Sequence, residues 1–129
     1  MWMDGPIEPL LPHIREIAAT QPPSPSHVLW LNWNPPPSRP DMAFSVEGRT
    51  YLALYGGVRT DADEAAHGDW AGRHMRALEP YAKGIQLADE NLGDRPARFL
   101  SDANMARLDR VRAAYDPDGL FNPWMGRAN

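Results

Sequence analysis

The chain has 129 residues, with 13 Lys+Arg against 17 Asp+Glu, a net charge of −4 and no cysteine. That length allows a single domain, 1–129, with a modest core. The missing cysteines exclude disulfides, thiolate metal sites and a Cys nucleophile, and the acidic balance argues against nucleic acid as a partner. No apolar run approaches the ~20 residues of a membrane-spanning helix. The segment Met1 to Pro6 has neither the basic nor the apolar region of a signal peptide, so a cytoplasmic protein is expected.

Ten of the 14 prolines lie within the first 40 residues, which breaks the front third into short pieces. Ile7, Leu10, Leu11, Ile14 and Ile17 recur at helical spacing, and Pro12 suits the first turn, so a short helix is predicted over 6–20. The proline-rich stretch 21–26 is a stiff connector. His27 to Trp33 reads as a strand with apolar groups on both faces, as if both were covered. Residues 34–40 cannot pair in a sheet because Pro35, Pro36, Pro37 and Pro40 donate no N–H. Met42 to Val46 and Thr50 to Val58 read as a hairpin around Glu47-Gly48-Arg49. In its second strand, Tyr51, Ala53 and Tyr55 share one face and Leu52 and Leu54 the other.

A helix is predicted over 61–80, capped by Thr60 or Asp61, with Trp70, His74 and Leu78 on its apolar side. Gly84 to Ala88 is a short strand, and 89–97 is a polar loop. A last helix runs from Ser101 or Asp102 to Tyr115, with Met105, Leu108, Val111 and Tyr115 as its apolar stripe. Asp116-Pro117-Asp118-Gly119 stops it in a type I turn, after which Leu120 and Phe121 return to the core. The sum is α+β: a small antiparallel sheet of three to four strands with two to three helices packed on one face.

Few side chains are arranged for chemistry. His67 and His74 lie seven residues apart, about 10 Å along a helix and too far to share one ion, so packing beside Trp70 is the better account of both. Asp89, Glu90 and Asp94 lack the spacing of a calcium loop. No phosphate-binding glycine motif and no nucleophile elbow occurs. Catalytic, cofactor-binding and metal residues are therefore assigned to none. Tyr51 and Tyr55, four residues and about 13 Å apart on one strand face, are the candidates for lining a substrate pocket, because phenols there can orient a ligand. Half-buried strands favour tyrosine for packing alone.

The C-terminal half carries a more specific pattern. Leu78-Glu79-Pro80-Tyr81-Ala82-Lys83-Gly84 is followed by Arg107-Leu108 and then Tyr115-Asp116-Pro117-Asp118-Gly119-Leu120-Phe121. This resembles the C-terminal end of the berberine bridge enzyme-like FAD-linked oxidases, where a "RLravKakYDPdnlF" stretch closes the chain. Upstream, Ala43-Phe44 and Tyr51 to Tyr55 stand where that family has a hairpin, so the resemblance covers roughly 25–121. It implies a substrate domain whose antiparallel sheet roofs the flavin, with helices behind it and Tyr51 and Tyr55 as pocket candidates.

Several positions depart from the family. Its His-Arg becomes Val46-Glu47, its Tyr and Asn become Gln86 and Ala88, and the Asn after the final Phe becomes Trp124. The family's FAD-binding domain has no counterpart in these residues. Two functions follow. In the first, the chain is the C-terminal substrate-domain portion of an FAD-dependent oxidoreductase, inactive alone and binding no FAD by itself. In the second, it is a non-catalytic interaction module that binds a separate flavoprotein subunit, or itself through the sheet face. A cofactor-free enzyme using the tyrosine face has no motif in its favour. The family reading requires a layered sandwich into which the tail aromatics are anchored.

Overall fold

The structure is a computed structural model describing residues 1–38, 40, 42–87, 92–93 and 95–122. Its centre is a three-stranded antiparallel sheet, β1 (Trp2–Met3), β2 (His27–Asn32) and β3 (Thr50–Tyr55), in the order β1-β3-β2. Among the described residues four α-helices accompany it: α1 (Leu11–Thr20), α2 (Asp61–His67), α3 (Trp70–Leu78) and α4 (Asp102–Tyr115). This is the expected α+β class.

Alternation along β3 sorts the two sides of the sheet. Leu52 and Leu54 enter the main core with Met1, Met3, Trp70 and Leu78, under α1 and α3. Tyr51 and Ala53 lie on the opposite face with Trp2, and Phe44 and Tyr55 pack against them. Side chains successive along a strand point to opposite faces, so this split follows directly from the sequence. Among the described residues, β2 is an edge strand. Val28, Leu29 and Leu31 are all exposed, so the expectation that both of its faces are covered is not met.

The predicted 42–46 strand is absent, and β3 pairs instead with β2 and with the chain start. Met1 and Leu52 exchange backbone bonds: Leu52 N–H donates to the Met1 carbonyl at 3.0 Å, and the Met1 ammonium donates to the Leu52 carbonyl at 2.6 Å. The place beside β3 that a 42–46 strand would take is thus filled by β1. Residues 42–45 are held by α4, whose Asn104 Nδ2 donates to the Met42 and Ala43 carbonyls at 2.9 and 3.0 Å. Gly48 permits the close approach: a Cβ there would stand 2.5 Å from the Met3 carbonyl oxygen. Of the predicted 84–88 strand, the described residues 84–87 show a bridge between Trp2 and Gly84.

The helix predicted over 61–80 is two helices, interrupted at Gly68-Asp69. Glycine has the lowest helix propensity after proline, which suits it to the junction. Thr60 caps α2 in a full capping box with Asp63. Ser101 caps α4 through the Asn104 N–H at 3.3 Å.

The stripe of α4 buries only its first half: Met105 is buried, whereas Val111 is exposed and Tyr115 is 84% exposed. Leu120 and Phe121, at 83% and 70% exposed, do not return to the core. Local hydrogen bonds determine this. Asp116 accepts from the Leu120 N–H at 2.6 Å and the Phe121 N–H at 3.2 Å, and Arg112 donates to the Phe121 and Asn122 carbonyls. The turn is closed by polar contacts onto α4, with the apolar side chains outside. The layered sandwich is present, but the tail aromatics are not anchored in it.

Candidate functional site

The sheet face away from α1 and α3 gathers the aromatic groups. Trp2 and Tyr51 lie with ring centroids 4.7 Å apart at 47°, and His27 stacks on Tyr55 at 4.5 Å and 11°. Register accounts for both pairs, because Trp2 stands opposite Tyr51 and His27 opposite Tyr55. Phe44 is laid over the cluster by the 42–45 segment that α4 holds. Among the described residues, no helix contributes a side chain to this cluster.

The two tyrosines are on one face as expected, but their surroundings differ. Tyr51 is buried beneath Trp2 and its neighbours, whereas Tyr55 is half-buried at the open end of the sheet. Tyr55 is therefore the more accessible of the pair. His27 Nδ1 donates to the Pro25 carbonyl at 3.0 Å, because a carbonyl oxygen can only accept. That fixes the tautomer and leaves Nε2 as the acceptor of the ring.

The Trp2 indole N–H is buried with no acceptor among the described residues. A buried donor left unpaired costs free energy, so an acceptor supplied from outside these residues would be well rewarded there. Beside the cluster opens a cavity of about 410 Å³, whose lining includes Phe44, Met42, Glu47, Lys83 and Asn104. Its cationic wall is tied down: Lys83 Nζ donates to Asp4 Oδ2 at 2.8 Å and to the Glu47 carbonyl at 2.9 Å. The Lys83 hydrogen bond, helped by a backbone bond from Arg49, holds the Asp4 carboxyl below its ordinary range. These contacts lock β1, the 47–49 loop and residue 83 together rather than presenting a free charge.

His74 has the packing role expected of it beside Trp70, and His67 stands half-buried at the end of α2. His74 is buried edge-on to Trp70 at 5.8 Å, and its Nε2 lies 2.9 Å from Thr20 Oγ1. The partner is thus a side chain, not backbone. Among the described residues, no group of three His, Asp or Glu side chains could hold a metal ion. Asp89, Glu90 and Asp94 lie outside the described residues, as do Ala88 and Trp124. Two members of the cluster, Trp2 and His27, were missed in the sequence as site residues. For His27 the signal was available, since it opens the β2 pattern on the same face as Leu29 and Leu31. A two-residue strand such as β1 has no periodicity to read.

Residues 85–123 match a protein-family model described as "Berberine and berberine like". The "FAD-linked oxidoreductase nodO" of Hypoxylon pulicicidum is 26% identical over 78 residues, covering 60% of this chain and 17% of that protein. The "FAD-linked oxidoreductase ptmO" of Penicillium ochrochloron is 32% identical over 90 residues, covering 66% of this chain and 20% of that protein. No solved structure gives a significant match. The chain is related to the berberine-like FAD-linked oxidoreductases, and its C-terminal segment resembles their berberine-like domain; the relationship rests on these matches and not on the anchored tail that the family reading required, since Leu120 and Phe121 are exposed. The matching stretch spans about one-fifth of the length of these relatives.

Proposed function

We propose that this chain acts as the C-terminal substrate-domain portion of a berberine-like FAD-dependent oxidoreductase, covering the flavin and shaping the substrate pocket. The observation that carries the reading is the aromatic sheet face: Trp2, Tyr51 and Tyr55 on a surface with no helical cover among the described residues, in a chain whose tail matches the berberine-like model. A planar ring can stack at the open end of this face against half-buried Tyr55. FAD would supply the redox chemistry, accepting a hydride from substrate carbon. The role of this chain is to exclude water and to orient substrate with Tyr55 and, beneath it, Tyr51. None of its residues is assigned to holding FAD.

A second reading, a non-catalytic module that binds a flavoprotein subunit, is favoured by one detail. Val46, standing where the family has histidine, is buried against Gly84: a Cβ built on Gly84 would lie 2.6 Å from the Val46 Cβ. That position serves packing and is not turned to a ligand. One experiment tests both. The purified chain is mixed with FAD alone, and then with the flavin-loaded remainder of a related FAD-linked oxidoreductase expressed without its own berberine-like segment. No binding to FAD alone is expected, together with a change in flavin fluorescence on mixing with the flavoprotein that Tyr55→Ala weakens. Recovery of substrate oxidation selects the first reading, and binding without turnover selects the second. Tight binding of FAD by the chain alone overturns both.

A further inference from the structure

The open edge of β2 carries a demand that a sheet face does not, because backbone donors and acceptors there require an extended strand as partner. The register fixes which residues face outward. Trp33 N–H donates to the Arg49 carbonyl at 2.7 Å, and His27↔Tyr55, Leu29↔Ala53 and Leu31↔Tyr51 continue that same alternation. Odd positions of β2 therefore bond to β3. Val28, Trp30 and Asn32 turn their N–H and C=O groups away from the sheet, on its last strand.

Natural edge strands are usually guarded by charge, proline or a bulge. This one has none: from His27 to Asn34 the sequence is His-Val-Leu-Trp-Leu-Asn-Trp-Asn, with no Asp, Glu, Lys, Arg or Pro. Leu29 and Leu31 are 41% and 40% exposed beside it. The centre of the strip is symmetric, since Leu29-Trp30-Leu31 reads alike in both directions. We infer that the β2 edge pairs antiparallel with the β2 edge of a second copy of this chain, about a two-fold axis through Trp30.

In that register Trp30 exchanges both backbone bonds with its equivalent, and Val28 does so with the second copy's Asn32. Leu29 meets Leu31 across the axis on the aromatic face, and His27 meets Trp33. Leu29, Trp30 and Leu31 find apolar or aromatic partners, Val28 meets the neutral Asn32, and the −4 charge of each copy is kept out of the seam. Pairing edge to edge makes one continuous six-stranded sheet and leaves the Trp2, Tyr51 and Tyr55 face open. The inference does not depend on the proposed flavin role.

The test is sedimentation of the full chain over a concentration series, with two double variants at the exposed leucines. The unmodified chain is expected to sediment as a species of twice its 14.4 kDa mass at the upper concentrations. Leu29→Lys with Leu31→Lys sets like charges opposite each other and raises the dissociation constant about tenfold or more. Leu29→Lys with Leu31→Glu sets Lys against Glu across the axis, and the dimer returns. A chain that stays monomeric throughout overturns the inference. So does a dimer that both variants break equally, as face-to-face stacking would give, or a dimer that neither disturbs. Amide exchange of the unmodified chain gives a reading free of any variant. Val28, Trp30 and Asn32 gain protection as concentration rises, while Leu29 and Leu31, already bonded to β3, do not. Equal exchange of the outward amides at all concentrations overturns the inference.

Discussion

The two faces of the sheet are built from alternate residues of the same strands, yet they are finished differently. On one, Leu52 is sealed by Trp70, Leu78 and Ile17 from helices, and the buried indole of Trp70 donates to Thr20 Oγ1 at 3.1 Å. On the other, Trp2 and Tyr51 are covered by Phe44 and neighbouring strand residues, and the Trp2 N–H has no acceptor among the described residues. The helical side is mainly aliphatic around Trp70 and Phe99 and the other mainly aromatic, but composition alone does not make a face receptive. What separates them is polar satisfaction and helical cover. A buried indole with its donor paired is complete in itself, whereas one with a spare buried donor beside an open end has hydrogen-bonding capacity left over.

The contrast is broken most forcefully from the helical side. Trp70→Ala empties a fully buried indole site under α1 and removes the N–H that Thr20 accepts. A loss of about 3–5 kcal/mol in unfolding free energy is expected from urea denaturation. A loss under 1 kcal/mol would mean that the main core does not close on this residue. Gly48→Ala comes next. Its new Cβ meets the Met3 carbonyl, a backbone group that cannot swing aside, so β1 is pushed off β3 at a cost of about 1–3 kcal/mol. Trp2 then loses its seat, and near-ultraviolet circular dichroism should report disorder on the aromatic face first.

Much of this was legible where the determinants are local. The Thr60 and Ser101 caps, the closing turn at Asp116 to Gly119 and the shared face of Tyr51 and Tyr55 all follow from neighbours a few residues apart. What could not be read depends on distant partners. Met42 to Val46 has the composition of a strand, but Met1 to Met3 takes the place beside β3 from about fifty residues away in sequence. Leu120 and Phe121 look like core residues until Asp116 and Arg112 are seen to hold their backbone in a turn that faces outward. Apolar character predicts burial only when something is there to bury against. The unguarded β2 edge was hidden for the same reason, since its apolar residues suit a central strand equally well.

A smaller effect sharpens the comparison through pH. His74 lies within the helical core, and its pKa is lowered from 6.5, first by desolvation and then by the nearby Arg73 charge, with Glu16 and Asp69 acting the other way. The Thr20 hydroxyl gives its proton to the Glu16 carbonyl at 2.7 Å and accepts from Trp70 Nε1, so its remaining lone pair takes the proton on His74 Nε2. The folded state thus favours neutral His74, and the unfolded chain binds its proton more readily. This contribution to stability is complete above pH 6.5 and is lost as pH falls through the lower folded value. Urea midpoints should fall between pH 7 and pH 5 more steeply for the native chain than for His74→Gln. Equal slopes would place the titration elsewhere.

The smallest effect is the most telling, because one chemical change can be made on both faces. Trp70→Phe and Trp2→Phe each remove an indole N–H and trim a buried ring. On the helical face the change deprives Thr20 of a donor inside a packed network, so it costs about 1–2 kcal/mol beyond the lost area. On the aromatic face the N–H removed has no acceptor among the described residues, so relief of its desolvation offsets the lost packing. Trp2→Phe is expected to leave stability within about 1 kcal/mol of the native chain, measured side by side in urea. Binding to a flavoprotein partner should weaken in the same variant if a ligand acceptor meets that N–H. Stability and binding then move independently, which a purely structural tryptophan would not allow. Equal destabilisation by the two substitutions would show that the Trp2 N–H is already paired within the folded chain, and the chemical difference between the faces would disappear.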